Sequence, residues 1–341
     1  MKKVYALVLV LVVACNQPTQ EIETTTEKNT FVIAFGSCAT QEKTNPMWPA
    51  VAAHKPDVFI WLGDNIYGDT YDMAEMEDKY NRQKNQPLYQ DFLKTGTTII
   101  GTWDDHDFGW DDAGKEYPHK EESKNLMLDF LNVPKNAEVR NRLGVYQSYT
   151  FGQADKKIKV ILLDTRWFRD ALQKDTTGVG RFMAQKNGAI LGEEQWAWLE
   201  NELTNSDAKV HIIGSSIQLI SNQHGWEKWG NFTDEQTRFY NLMARLRPAN
   251  TLVLSGDRHL AELSRIKPGG ADFWLYDITS SGMTHIFIRE QIEENPYRMG
   301  PFMQHRNWGL LRVDFENNEV NITTEIRGEA DSLFHTHILE K

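Results

Sequence analysis

Six apolar runs in this chain break into polar or ionisable residues at the same place, their carboxyl end. FVIAF (31–35) leads into GSC, DVFIWL (57–62) into GDNIYGD, and TIIGTW (98–103) into DDHDFGWDD. Further on, IKVILL (158–163) leads into DTRWFRD, KVHIIG (209–214) into SSIQ, and TLVLS (251–255) into GDRH. Short apolar runs rich in Val, Ile and Phe read as strands buried on both faces. The amphipathic stretches at 47–55, 73–83, 119–132, 193–203 and 233–246 read as helices. The alternation predicts an α/β protein. Toward the C-terminus, 273–278, 309–315 and 319–326 follow one another with turns such as PGGAD, which predicts a second sheet rather than more crossovers. Open α/β sheets build their sites at the carboxyl ends of strands. One acidic residue there would be an ordinary helix cap. Several at the same end of a sheet describe a site.

The N-terminus predicts export. Residues 1–14 carry Lys2 and Lys3 and then an apolar run too short to span a bilayer, which describes a secretory leader. Val12-Val13-Ala14-Cys15 resembles a bacterial lipobox, with Cys15 as the acylated first residue of the mature chain. A polar tether over 15–30 follows, and 31–341 form the remaining domain. The expectation is a membrane-anchored lipoprotein, facing the periplasm or the cell surface and acting as a monomer. Loss of the leader moves the formal charge from -11 to about -13. That balance excludes general nucleic-acid binding, which needs a basic face, and suits a binder of cations.

Of the two cysteines, Cys15 and Cys38, the second has no partner once the first is acylated. A metal would account for an unpaired thiol, by lowering its pKa and shielding it from oxidation. Asp64 offers a carboxylate that can bridge two ions, and Tyr67 a phenol that a strong Lewis acid such as ferric iron would ionise. Asp257 and His259 form an Asp-x-His pair, while Asp104, Asp105, His106, Asp107, Asp111 and Asp112 crowd one loop. Carboxylates at that density repel unless they meet solvent or cations. Each residue also has a plainer role: Cys38 as a small buried hydrophobe, Asp64 as a cap, Tyr67 and His259 as core. Their joint placement at strand ends favours a site with mixed O, N and S donors.

FGSC, LGDNIYGD, TWDDHDFGWDDAG, LDTRWFR, LGEEQWAWLENEL and SGDRHLAEL occur in this order between about residue 31 and 315. The ordered set resembles the alkaline phosphatase D (PhoD-like) family of the calcineurin-like metallophosphoesterases. The resemblance implies a four-layer α/β/β/α sandwich that hydrolyses phosphate esters at a binuclear centre. It implies iron and calcium as the metals, with zinc or manganese used elsewhere in the superfamily. Carried over by position, Cys38, Asp64, Tyr67 and His259 hold the iron-like ion, with Asp64 bridging. Asp257 serves the second ion, joined by Asp105 or Asp111; the latter stands where the family commonly has Asn and adds negative charge. His106 resembles the residue that contacts phosphate or protonates the leaving group. Asp277 and His285 are candidates for an additional calcium ligand. Two ions would hold the phosphoryl oxygens and activate a water for in-line attack.

Positive charge must also meet those oxygens. Arg166 is the first choice, with a structural salt bridge to Asp164 or Asp170 as its plainer role; Arg258 is the weaker option. The stretch 221–232, with His224, Trp226 and Trp229, either lines the mouth and selects the ester or packs in the core. A serine-hydrolase elbow and a P-loop are both absent. The rivals are a phosphodiesterase or phospholipase on the same metal core, and a non-catalytic surface lipoprotein that binds a ligand.

Overall fold

The computed structural model describes residues 20–22, 28–317 and 319–340; the leader and Cys15 lie outside the described residues. In chain order the first strands are β1 (Gln20–Ile22), β2 (Thr30–Gly36), β3 (Val58–Leu62), β4 (Thr98–Thr102) and β5 (Gln147–Phe151). They are followed by β6 (Ile158–Leu162), β7 (Val210–Gly214), β8 (Thr251–Ser255), β9 (Ala261–Ile266) and β10 (Leu275–Ser280). The last are β11 (Arg298–Met303), β12 (Trp308–Glu316), β13 (Glu319–Arg327) and β14 (Leu333–Ile338). The helices are α1 (Trp48–Ala53), α2 (Met73–Lys84), α3 (Pro87–Leu93), α4 (Asp105–Phe108), α5 (Lys120–Phe130), α6 (Gly192–Thr204) and α7 (Thr233–Leu246).

The strands form two sheets, one of eight in the order β1-β5-β6-β7-β8-β10-β9-β11 and one of six in the order β14-β13-β12-β2-β3-β4. The centre of each is parallel: β6, β7, β8 and β10 in the first, and β2, β3 and β4 in the second. Alternate residues of these strands serve different cores, as the twofold strand period requires. Val58, Ile60 and Leu62 of β3 meet Val160, Leu162 and Ile212 between the sheets. Phe59 and Trp61 turn the other way, onto Trp48 of α1, Tyr89 and Phe92 of α3, and Met127 of α5. On the far side, Ile161, Ile213 and Val253 carry Trp196 and Leu199 of α6 and Phe239 of α7. Three apolar layers between four layers of structure give the α/β/β/α sandwich.

Two expectations change. The C-terminal strands form no sheet of their own: β12, β13 and β14 extend the edge of β2, whereas β9 and β11 finish the eight-stranded sheet. Part of the stretch read as a tether, β1, pairs in parallel with β5 at the edge of that sheet.

Candidate metal centre

The carboxyl ends of β2, β3 and β4 from one sheet meet those of β8 and β10 from the other. Cys38, Asp64, Asp257 and His259 follow these strands with φ of 58°, 48°, 65° and 54°. Residues other than glycine rarely hold this left-handed conformation, at a cost of about 1–2 kcal/mol each. The surroundings enforce it. The Cys38 amide donates to the Gly63 carbonyl and the Ala39 amide to Asp64, while the His259 amide donates to Ser281 Oγ at 2.8 Å. Gly63 has φ +94°, and a Cβ there would stand 2.4 Å from the Cβ of Asp104, so the close approach of the two loops demands glycine. Asp107 ties the same loops together by accepting from the amides of Asp64, Asn65 and Asp104.

The donors converge. Cys38 Sγ lies 3.2 Å from Asp64 Oδ2 and 3.0 Å from Ser281 Oγ. The Tyr67 hydroxyl is 3.3 Å from Asp64 Oδ2 and 3.4 Å from His259 Nε2. Ligand atoms of Cys38, Asp64 and His259 all lie within 4.8 Å of one another, as do those of Asp64, Asp105 and His106 and those of Asp104, Asp105 and Asp257. Asp64 thus belongs to two groups, and Asp105 joins the second to the third. Asp64 Oδ1, Asp104 Oδ2 and Asp105 Oδ1 are buried with no hydrogen-bond partner. Buried carboxylate oxygens left in this state call for a cation, so the residues fit a metal centre.

The electrostatics agree. Burial, with neighbouring negative charge, pushes the acids of Asp64, Cys38, Tyr67 and Asp257 well above their usual ranges, and His106 opposes the shift at Asp64 without cancelling it. Burial also pushes His259 down to about 3, which leaves the neutral imidazole that ligates metals. At His106 burial acts downward, but Asp105, Asp64 and Asp69 override it and raise the imidazole to about 11. At Asp105 burial acts upward, and His106 and Arg166 override it to hold the carboxyl below its usual value.

The remaining expected residues are placed otherwise. Asp111 is exposed at the rim, in a group with Asp105 and Asp112, where both Asp111 and Asp112 pair with Arg181. Arg166 is 0 % exposed. Its guanidinium donates to Asp104 and to Glu227 at 2.6 Å each, so where a phosphoryl contact was expected the structure shows a buried ion pair that holds Asp104 in place. The partners weighed for it differ too, since Asp164 accepts only its backbone amide. Arg258 and His224 are buried, Arg258 on Glu293 and His224 with Nδ1 accepting from the Trp226 amide. Neither presents a charge to solvent. Trp229 is core and Trp226 is 44 % exposed, so the 221–232 stretch divides between packing and surface. Asp277 lies in the sheet, with its oxygens accepting from the amides of Leu219 and Ile220 and from Ser255 Oγ. Both oxygens are thus engaged as a latch on the turn after β7. His285 packs its ring on those of Tyr67 and His259, at 5.0 and 4.5 Å.

Sequence reasoning passed over Asp104 as a donor, Ser281 beside the thiol, Asp69 on His106, and Glu227. The DDHD run, the SSG at the end of β10 and the final Asp of GDNIYGD signalled the first three; no local pattern marks Glu227.

The model of the PhoD-like phosphatase family matches residues 75–323. The chain belongs to the PhoD-like phosphatase family. The match begins after Cys38, Asp64 and Tyr67, which the fold brings back to the residues inside it. Alkaline phosphatase D of Bacillus subtilis (strain 168) is 24% identical over 306 residues, covering 74% of this chain and 51% of the relative. This chain therefore spans about half the length of that curated relative. The solved structure of PhoD superposes with a TM-score of 0.71 at 16% identity, over 92% of this chain and 69% of that one. A purple acid phosphatase from yellow lupin (Lupinus luteus) seeds gives 0.56 at 9% identity, over 92% and 54%. A dimetal phosphatase from Danio rerio gives 0.52 at 12% identity, over 91% and 98%. These likenesses establish the metallophosphoesterase fold for a PhoD-like chain.

Proposed function

We propose that this chain is a metal-dependent phosphatase that hydrolyses phosphate monoesters at a binuclear centre. The observation that carries the reading is Asp64, which lies between the Cys38–His259 side and Asp105, itself part of the all-carboxylate group, and has one oxygen buried and unpartnered. Thiol, phenol and imidazole at one end of the site suit iron, whereas Asp104, Asp105 and Asp257 make an all-carboxylate group suited to calcium. The monoester preference rests on the name of the Bacillus relative. Export and a lipid on Cys15 rest on the leader and lipobox pattern alone.

Two ions at these donors would withdraw electron density from the phosphoryl oxygens and lower the pKa of a water. The chain supplies the rest. Arg166 and Ser216 both donate to Asp104 Oδ1, at 2.6 and 2.7 Å, and fix that carboxylate against its neighbours' repulsion. His106 holds Nδ1 on Asp69 at 2.7 Å, which leaves Nε2 to pass a proton to the departing alkoxide. Burial of the donors keeps bulk water from screening them.

The test is metal analysis of protein purified without chelators, with assays on phenyl phosphate and on a diaryl phosphodiester. The wild type should carry two or more ions and prefer the monoester. Asp64→Asn should lose metal and at least about a hundredfold in turnover, the scale of losing one electrostatic contact in an active site. A visible absorption band that disappears in Tyr67→Phe would assign iron, and partition of the same preparation into detergent would report the anchor. Full activity without metal would sink the proposal.

A further inference from the structure

Five aromatic rings run in unbroken contact along the donor groups. His106 packs on Tyr67 at 4.3 Å between centroids, Tyr67 on His285 at 5.0 Å, His285 on His259 at 4.5 Å, and His259 on Phe287 at 4.3 Å. Four of these rings carry a polar or titratable atom. Phe287 has none; it is 57 % exposed, with its ring tilted at 51° against that of His259. Single exposed apolar side chains are common on protein surfaces, so what sets Phe287 apart is its contact with the His259 ring at the end of this series.

The ring is also held there. It belongs to the irregular segment between β10 and β11, which is pinned to the Asp257–Arg258–His259 turn by a two-arginine clamp. Arg289 donates to the carbonyls of Phe287 and Arg258, at 3.0 and 2.9 Å, and its Nε donates to Glu293 at 2.7 Å. Glu293 also accepts from Arg258 at 2.7 Å, and Gln304 Oε1 accepts from the Arg289 amide. The clamp fixes the backbone of Phe287 to the loop that carries two donor residues. Trp226, 44 % exposed, lies 6.0 Å from the Arg258 guanidinium and adds a second exposed aromatic surface beside the clamp.

We propose that Phe287 is a specificity-determining residue, a platform on which the organic group of the ester lies, and that the preferred substrates carry an aromatic or flat apolar group close to the phosphate. The proposal rests on the phosphatase reading above. A phosphate held at the Cys38–Asp64–His259 donors leaves its ester group beside the ring next to His259. An apolar group there covers the exposed face of Phe287, whereas a small alkyl or polyol group leaves it wet.

The experiment compares 2-phenylethyl phosphate with ethyl phosphate, whose alkoxide leaving groups are alike, and measures binding of the two matching phosphonates to the metal-loaded protein. The expected result is a kcat/KM for the phenylethyl ester about tenfold above that for the ethyl ester, with the same ratio in phosphonate binding. In Phe287→Ala both ratios should fall to within about twofold of one, and Phe287→Tyr should restore them. Phosphonates that bind equally well to the wild type overturn the platform, whatever the turnover. Equal losses on both esters in Phe287→Ala overturn it too, since they would mark a structural role. Preferential binding of the phenylethyl phosphonate, lost in Phe287→Ala, with hydrolysis of neither ester would support the platform and overturn the phosphatase reading.

Discussion

His106 acts at the scale of a single nitrogen. Its Nδ1 is held by Asp69, and its ring packs on Tyr67, so the imidazole has one orientation and one free nitrogen. His106→Ala should therefore keep the metals and slow alkyl esters by about a hundredfold, because their alkoxides need a proton. An activated aryl ester, whose leaving group departs unaided, should change by less than about threefold. Metal content and both rates are measured on one preparation, and equal losses on the two esters would remove the proton-donor role. At this scale the sequence was informative about residue types and poor about partners. Cys38, Asp64, Tyr67, Asp105, Asp257 and His259 stood out because each follows a strand, and the structure brings them together at one seam. The burial of Arg166 was not legible: its partner Glu227 stands 61 positions away, and only tertiary packing brings them together. The left-handed backbone at four donors leaves no mark in composition either.

Among the elements, stretches with a clear period or an unbroken apolar run were legible, the 6-residue α1 included, and most mixed ones were not. α2 begins at Asp72, whose side chain accepts from the amides of Ala74 and Glu75, and ends in Arg82 and Lys84, so its pattern and its caps agree. α3 is only 7 residues long and starts at Pro87, and α4 is a single turn inside the acidic loop. β9, β11 and β14 mix polar with apolar residues and take strand form from their antiparallel neighbours. The Asp277 latch shows how one element positions another, since β10 holds the turn after β7 that leads into the 221–232 stretch. Burial raises the Asp277 carboxyl to about 6. A carboxyl pKa that is higher in the folded than in the unfolded chain stabilises fully below about pH 4, and the contribution is lost as pH rises through about 6. Asp277→Asn keeps the shape and removes the titration. In urea melts, the wild type should gain on the order of 2 kcal/mol relative to the variant between pH 7 and pH 4. A difference that stays constant with pH would contradict the assignment.

Across the whole molecule the two sheets depend on the centre that lies between their ends. Asp64 and Asp105 come from the six-stranded sheet, and Asp257 and His259 from the eight-stranded one. Without cations these buried carboxyls must either take up protons, as the raised Asp64 and Asp257 do, or press like charges together, and either state leaves the seam weaker than the metal-bound one. Metal binding should therefore act as a fold-wide clamp. A ligand held a thousandfold above its Kd adds about 4 kcal/mol to stability, which for a domain of this size corresponds to roughly 5–10 °C in Tm. Chelation of the wild type should lower Tm by that order. Asp64→Asn removes an ionisable carboxyl and with it the ligand proposed to bridge the ions, so it should melt at nearly the same temperature with and without chelator. In the metal-free state it should match or exceed the wild type. Thermal melts of both proteins, each with and without chelator, decide the matter. A wild type indifferent to chelation would separate the donor cluster from the stability of the fold, and a metal-free Asp64→Asn that melts well below metal-free wild type would show that the carboxylate is structural in its own right.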